Sequence, residues 1–343
     1  VGSEMCIRDR LGKPLPKLEG LWRPVSGQVS LALVLAFGQY VVGGLAVLLV
    51  LQPWLGVSPV MACLIEVAYE GGHGSAAAMG PSYAALGFPG GQDLGLAMAT
   101  VGLLSSSLVG GVVVVIGRQR GWLLAQSQPG AASLAGSARE SSAPTHPAWA
   151  AWAVNLALVG IAVLIGVGLL ALLRLGTDAI GGGVAAVGQS LPVFPLAIIG
   201  SLLVRWLLER SGNSRWASAP IQSEIGTLSA DLLITSATAC LNLALLAADW
   251  LPLTVLAVAG LTWNLAVTLL LAPRLLPADW FERAVLEFGQ ATGVAASGLL
   301  LLRMADPDDH SQALPAFSLK QLLLQPFLAG GVVTVVALSL IHI

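Results

Sequence analysis

The chain has 343 residues, of which 56% are hydrophobic and 10% charged, with a formal net charge of -2 at pH 7. Soluble domains carry about 25% charged residues, and a soluble fold could not bury this much apolar surface. The near-neutral balance, without clustered Lys and Arg interleaved with aromatics, excludes a nucleic-acid partner, whose phosphates demand such clusters. An all-α integral membrane protein is the expected class.

In chain order, the opening VGSEMCIRDR (residues 1–10) and the closing SLIHI (339–343) resemble translated sequencing-adapter read-through and match neither a signal peptide nor a helix cap. They are set aside, and natural sequence is expected to be missing at both ends. Seven segments then read as full spans: residues 29–51, 94–117, 149–173, 191–208, 225–248, 251–272 and 319–338. Each approaches or exceeds the ~20 apolar residues that carry a helix across a ~30 Å hydrocarbon core. Two further regions are apolar but interrupted. Residues 57–88 are broken by Glu66, Glu70, the EGGHG run and Pro81, and residues 277–304 by Glu282, Arg283, Glu287 and the glycines that follow. Pieces of about a dozen residues reach only ~18 Å as helix, which suits re-entrant hairpins better than crossings.

Basic residues set the orientation, because Lys and Arg concentrate in short cytoplasmic loops. Lys13, Lys17 and Arg23 precede the first span, and Arg118, Arg120 and Arg139 follow the second. Both flanks are then cytoplasmic, so residues 57–88 must dip in from outside and return. Arg210, Arg215, Arg274, Arg283, Arg303 and Lys320 fall on the same cytoplasmic side, which makes residues 277–304 a hairpin entering from inside; Arg174 is the exception among the outer loops. Residues 126–147, rich in Ser, Ala, Gly and Pro, read as a flexible cytoplasmic linker.

Cys6, Cys63 and Cys240 form no CxxC, and His73, His146, His310 and His342 are scattered. That spacing offers no metal centre, and no nucleophile, base and acid stand together, so neither a cofactor nor an enzymatic activity is expected.

The interrupted regions overlay without gaps: Glu70-Gly71-Gly72-His73-Gly74-Ser75-Ala76-Ala77-Ala78 against Glu287-Phe288-Gly289-Gln290-Ala291-Thr292-Gly293-Val294-Ala295. Entered from opposite faces, they form an inverted-topology repeat, a mark of secondary transporters that bind near the midplane. Residues 11–125 are the end of the first repeat and 148–338 the second. Three spans missing from the N-terminal side would complete five per repeat.

The stretch EGGHGSAAAMG (70–80), with Leu86-Gly87-Phe88 and Ala97-Met98-Ala99-Thr100-Val101-Gly102-Leu103 after it, resembles the first re-entrant motif of bacterial sodium/glutamate symporters. The likeness extends more weakly over residues 29–338, and the second hairpin, FGQATGVAASGLLLLRMADP, departs from it. The resemblance implies a homodimeric elevator-type carrier in the bacterial inner membrane, moving glutamate or a similar small carboxylate with Na+. A carrier of another organic anion, proton-coupled, and a channel built on the hairpins are the alternatives.

A helix broken inside a membrane exposes N–H groups that suit a carboxylate and carbonyls that suit a sodium ion. Gly71, Gly72, Gly74 and Gly293 let backbone approach a ligand, while Ser75 and Thr292 add hydroxyls. The expected substrate residues are therefore Gly71, Gly72, His73, Gly74, Ser75, Gln290, Thr292 and Gly293, with His73 and Gln290 either binding or bracing. Arg303 could pair bidentately with a carboxylate, or anchor the cytoplasmic end by snorkelling. Asn264 and Thr292 are the expected sodium ligands; Gln39, Asn155 and Asn242 bridge helices or line the path, and Asp231 is either a cation ligand or solvated near the inner end. Glu70 and Glu287 are expected to be structural and solvated near the interface. The glycines at 181–183 and 330–331 are expected to serve close helix packing.

Overall fold

A computed structural model of the chain describes residues 22–124, 148–239, 241–277, 279–325, 327–329 and 331–342. The expected linker, Lys13, Lys17 and Arg139, and the N-terminal adapter-like segment lie outside these residues. The described residues form helices and turns, with no strand among them. Helix α1 (Trp22–Ala46) continues through a π turn (Val47–Leu51) and a last turn (Gln52–Leu55). A 3-10 turn (Pro59–Cys63) leads into α2 (Leu64–Tyr69), α3 (Gly72–Ala78), α4 (Gly80–Ala85) and the long α5 (Gly91–Gln119). Next come α6 (Ala148–Ile180), α7 (Gly182–Ser190), α8 (Phe194–Arg210), α9 (Ala219–Ala239) and α10 (Leu243–Ala248). Helix α11 (Trp250–Ala266) again continues through a π turn (Val267–Leu271) and a last turn (Ala272–Leu275); α12 (Trp280–Thr292), α13 (Ala295–Ala305), α14 (Ala313–Leu324) and α15 (Val332–His342) complete the chain.

Among the described residues four helices are long and apolar enough to cross a membrane: Val25–Leu55, Gly91–Gln119, Trp149–Ile180 and Trp250–Leu275. They contain the expected spans 29–51, 94–117, 149–173 and 251–272. The other three expected spans are altered. Helix α8 has 17 residues, or about 25 Å. Residues 225–248 are divided between α9 and α10 because the Asn242 side chain accepts from the Leu245 N–H at 3.1 Å and starts a new helix. Residues 319–338 are divided between α14 and α15: Pro326 in the sequence cannot continue a helix, and Ala329 takes a positive φ of 57°.

Helix α5 organises the interior. Its small residues Gly95, Gly102, Ser106, Gly110 and Gly117 lie on one side, whereas Leu104, Leu108, Val112 and Val115 are exposed on the other. This division at helical spacing gives one face for close packing and one for lipid. Two folded-back units run along the small face from opposite ends. In the first, Leu64 of α2 and Ala76 of α3 both lie against Gly95, while Tyr69, at the end of α2, lies against Gly102. The second begins with Phe281 against Gly117; α12 rises until Gly293 meets Ser106, and α13 returns with Leu301 against Gly110. Gly289 faces Gly298 with no room for a Cβ, which fixes α12 and α13 as a tight antiparallel pair.

The helices before each unit, α1 and α11, pack antiparallel: Gly27 lies against Leu276, Gly38 against Trp263. They share local structure and sequence, Leu45-Ala46-Val47-Leu48-Leu49-Val50-Leu51-Gln52-Pro53-Trp54-Leu55 against Leu265-Ala266-Val267-Thr268-Leu269-Leu270-Leu271-Ala272-Pro273-Arg274-Leu275. In both, a π turn precedes the proline that ends the helix, where the missing N–H and ring demand a local adjustment. Elsewhere α6 and α8 pack with their backbones close, since a Cβ on Gly200 would strike the Ala162 carbonyl and one on Gly166 the Ala197 backbone. Gly181 and Gly182 do no such packing. They take φ of 76° and 60° in open space and serve the turn between α6 and α7, while Gly330 lies outside the described residues.

Candidate functional site

The two units turn where their helices break, at Glu70–Gly71 and Gly293–Val294, and the breaks meet. Gly72, at φ 65°, has a backbone few side chains adopt, and a Cβ there would collide with Val294 Cγ1. Val294 itself sits at φ 147°. Gln290 Nε2 reaches the Glu70 carbonyl at 3.4 Å, and the Thr292 carbonyl lies against Gly102. Both turns thus close on the same stretch of α5, approached from opposite directions.

The gapless nine-residue overlay does not describe this geometry. In the first unit the motif opens the returning helix α3, whereas in the second it ends the advancing helix α12, so Ser75 and Thr292 lie on opposite sides of their breaks.

Most of the expected substrate residues come together here. His73 is buried and its Nε2 lies 3.0 Å from Thr100 Oγ1 on α5. Gln290 accepts from Gln321 Nε2 at 3.0 Å while it donates to the Glu70 carbonyl. Ser75 Oγ donates to the Ala329 carbonyl in the break between α14 and α15. Glu66, buried one turn before Glu70, grips the same break by accepting from Ala329 N–H and from Thr334 Oγ1, the latter at 3.0 Å. Gly71 has no room for a Cβ beside Ser75 and the Val67 carbonyl, and Gly74 lies half-buried within α3.

Beside the second turn, Asn264 Nδ2 donates to the Ala291 carbonyl at 2.9 Å and to Thr292 Oγ1 at 3.0 Å. Gln39 Nε2 donates to the same carbonyl at 2.7 Å and to Asn264 Oδ1 at 3.1 Å, leaving Gln39 Oε1 enclosed without a partner. The two amides thus gather the oxygens of Asn264, Ala291 and Thr292 in one buried hydrogen-bonded cluster.

Arg303 is exposed on α13 and does not reach the turns. Buried cations lie elsewhere: Arg283 of α12 pairs with Asp279 at 2.8 Å, and Lys320 of α14 lies 3.0 Å from Glu287 Oε2, both groups 1% exposed. Gln28 Nε2 of α1 holds the other oxygen of Glu287 at 2.9 Å. Glu70 and Glu287 are thus enclosed rather than solvated, Glu70 at the first turn and Glu287 within α12. Lys320 was legible only as a loop marker; its place in the middle of a 12-residue apolar helix was the missed signal. Asn155 bridges α6 and α9, accepting from Ser218 N–H and Gln222 Nε2, each at 3.0 Å, while Asp231 is exposed.

The family model described as sodium/glutamate symporter matches residues 22–294. Comparison with the curated proteins and with the solved structures returns no match.

Proposed function

Because the chain belongs to the sodium/glutamate symporter family of membrane transport proteins, we propose that its two meeting turns form the solute site of a sodium-coupled carrier for glutamate or a similar small carboxylate. The observation that carries this reading is the contact of two broken helices midway along α5, at Gly72 and Val294. Helix breaks leave backbone N–H and carbonyl groups that lipid cannot satisfy, which makes them sites for polar cargo.

In this reading the two units are re-entrant and related as an inverted repeat. Helices of 13 and 11 residues, about 20 and 16 Å long, fall short of a crossing, and the antiparallel match of α1 with α11 supports the relation. Gly71 to Ser75 and Gln290 to Gly293 face the carboxylate. Sodium takes the oxygens of Asn264, Thr292, Gln39 and the Ala291 carbonyl, once the two amides turn their N–H groups away. Since the units are tied to each other through Gln290 and Glu70, they move together as the elevator. The family further implies a homodimer in the bacterial inner membrane.

The test is uptake of labelled glutamate into proteoliposomes under an imposed sodium gradient. Accumulation that collapses when the gradient is removed is expected. No gradient-dependent uptake of any amino acid or dicarboxylate would overturn the reading.

A further inference from the structure

Where the first turn meets α12 and α14 the fold holds a charge imbalance that substrate and sodium do not use. Glu70, Glu287 and Lys320 bring two carboxylates to one ammonium, and Glu66 adds a third carboxylate nearby. Glu287 has first claim on the ammonium, being 3.0 Å from Lys320 and also held by Gln28. Lys320 has further partners in Gln321 Oε1 at 3.2 Å and the Phe317 ring at 4.7 Å. Glu66 is engaged by Ala329 and Thr334. Glu70 is the member left over: it is 5% exposed, and its Oε2 is enclosed without a hydrogen-bond partner. An ionised carboxylate in that position carries a heavy desolvation penalty.

A cation must therefore answer the surplus charge, and the enclosure decides which. Oε2 is enclosed and the residue as a whole is only 5% exposed, which leaves a sodium ion or an alkylammonium too little room for its ligand shell while the turn stays packed. A proton needs no space. We propose that Glu70 is a proton-binding site of the carrier: Oε2 takes a proton from water while the first turn is open, holds it as a neutral carboxylic acid while the turns are packed, and returns it when the turn reopens on the other side. The inference rests on the carrier reading and adds a proton to the ions that move with it.

The other groups around Glu70 are consistent with a single exchangeable site. On its own helix lies Glu66; beyond the turn lies His73, bound to Thr100; α12 contributes Glu287 and α14 contributes Lys320. The middle turns of α1, α5 and α11 carry no Asp, Glu, Lys, Arg or His, and Tyr40 of α1 bonds to Thr334 beside Glu66. On α9, which touches α3, Glu224 and Asp231 are exposed.

The test is infrared difference spectroscopy of the reconstituted full chain across a pH step, followed in the carbonyl stretch of protonated carboxyl groups. A band that appears on acidification, disappears in Glu70→Gln, shifts in Glu70→Asp and survives in Glu66→Gln is expected. A band untouched by Glu70→Gln, or no band at all, would overturn the proposal, and the shift in Glu70→Asp guards against a misfolded Glu70→Gln. A second arm imposes a pH gradient on proteoliposomes and reads glutamate uptake, whose response to the gradient should be lost in Glu70→Gln. Absence of all uptake with the band intact would count against the carrier reading while leaving the proton site standing.

Discussion

Single residues at the turns have roles that their types announce only in part. Gly72 combines a positive φ with contact against Val294, so Gly72→Ala should destabilise the protein by about 1–3 kcal/mol. Gly44, on α1 with nothing within 4 Å, is the control: Gly44→Ala should leave stability unchanged or raise it by up to about 1 kcal/mol. Thermal unfolding in detergent micelles distinguishes the two, and equal losses would contradict the contact. The sequence made Gly72, Thr292 and Asn264 legible because a polar or flexible residue inside an apolar run is conspicuous. Charge alone left Arg303 open between a substrate partner and a helix-end anchor, because it does not tell a buried cation from one at a helix end; only packing reveals Lys320 beside Glu287. Outside the membrane-spanning segments, Asp306 accepts from the N–H groups of His310 at 2.9 Å and Ser311 at 2.8 Å. Burial pushes its carboxyl up, but these bonds, the Ser311 side chain and the charge of His310 outweigh it and hold the group below the usual range. Its contribution is complete above the ordinary aspartate value of about 3.9 and is lost as pH falls through the depressed value. Amide exchange should show protection of His310 and Ser311 fading only at that lower pH; protection lost well above it would contradict the assignment.

At the scale of elements, long apolar periodicity identified α1, α5, α6 and α11, because length against bilayer thickness is a robust constraint. Breaks were harder to read. Asn242 sits inside a run whose composition still favours a span, and what divides it is local, a cap at Leu245. The nine-residue overlay matched residue types but not the position of the break, since a motif near a turn can start one helix or finish another. The stronger internal likeness lay upstream, in the paired LAV and Pro segments of α1 and α11, where equal spacing to a π turn constrains both. Packing of α6 on α8 offers a test at this level. Gly200→Val would force a side chain into the Ala162 carbonyl, whereas Gly168 on α6 has nothing within 4 Å. Gly200→Val should cost about 1–3 kcal/mol and Gly168→Val much less, as measured by thermal unfolding; the reverse order would place the α6 and α8 contact elsewhere.

For the whole molecule, one helix face carries the design. Small residues along α5 admit two folded-back units from its two ends, and their breaks converge against Gly102 and Ser106. The lipid-facing side of α5 needed only the spacing of its leucines and valines, but convergence could not be read from sequence, because it depends on how far each unit advances before it turns. The central claim is that these breaks jointly hold the solute. Its most direct measurement is thiol labelling in membrane vesicles of His73→Cys and Thr292→Cys, each in a background with the chain's three cysteines replaced. Glutamate with sodium should slow labelling at both positions, and neither ligand should do so at Leu108→Cys on the lipid face. Protection at one turn alone, or equal labelling with and without solute at both, would mean that the two turns do not form one site.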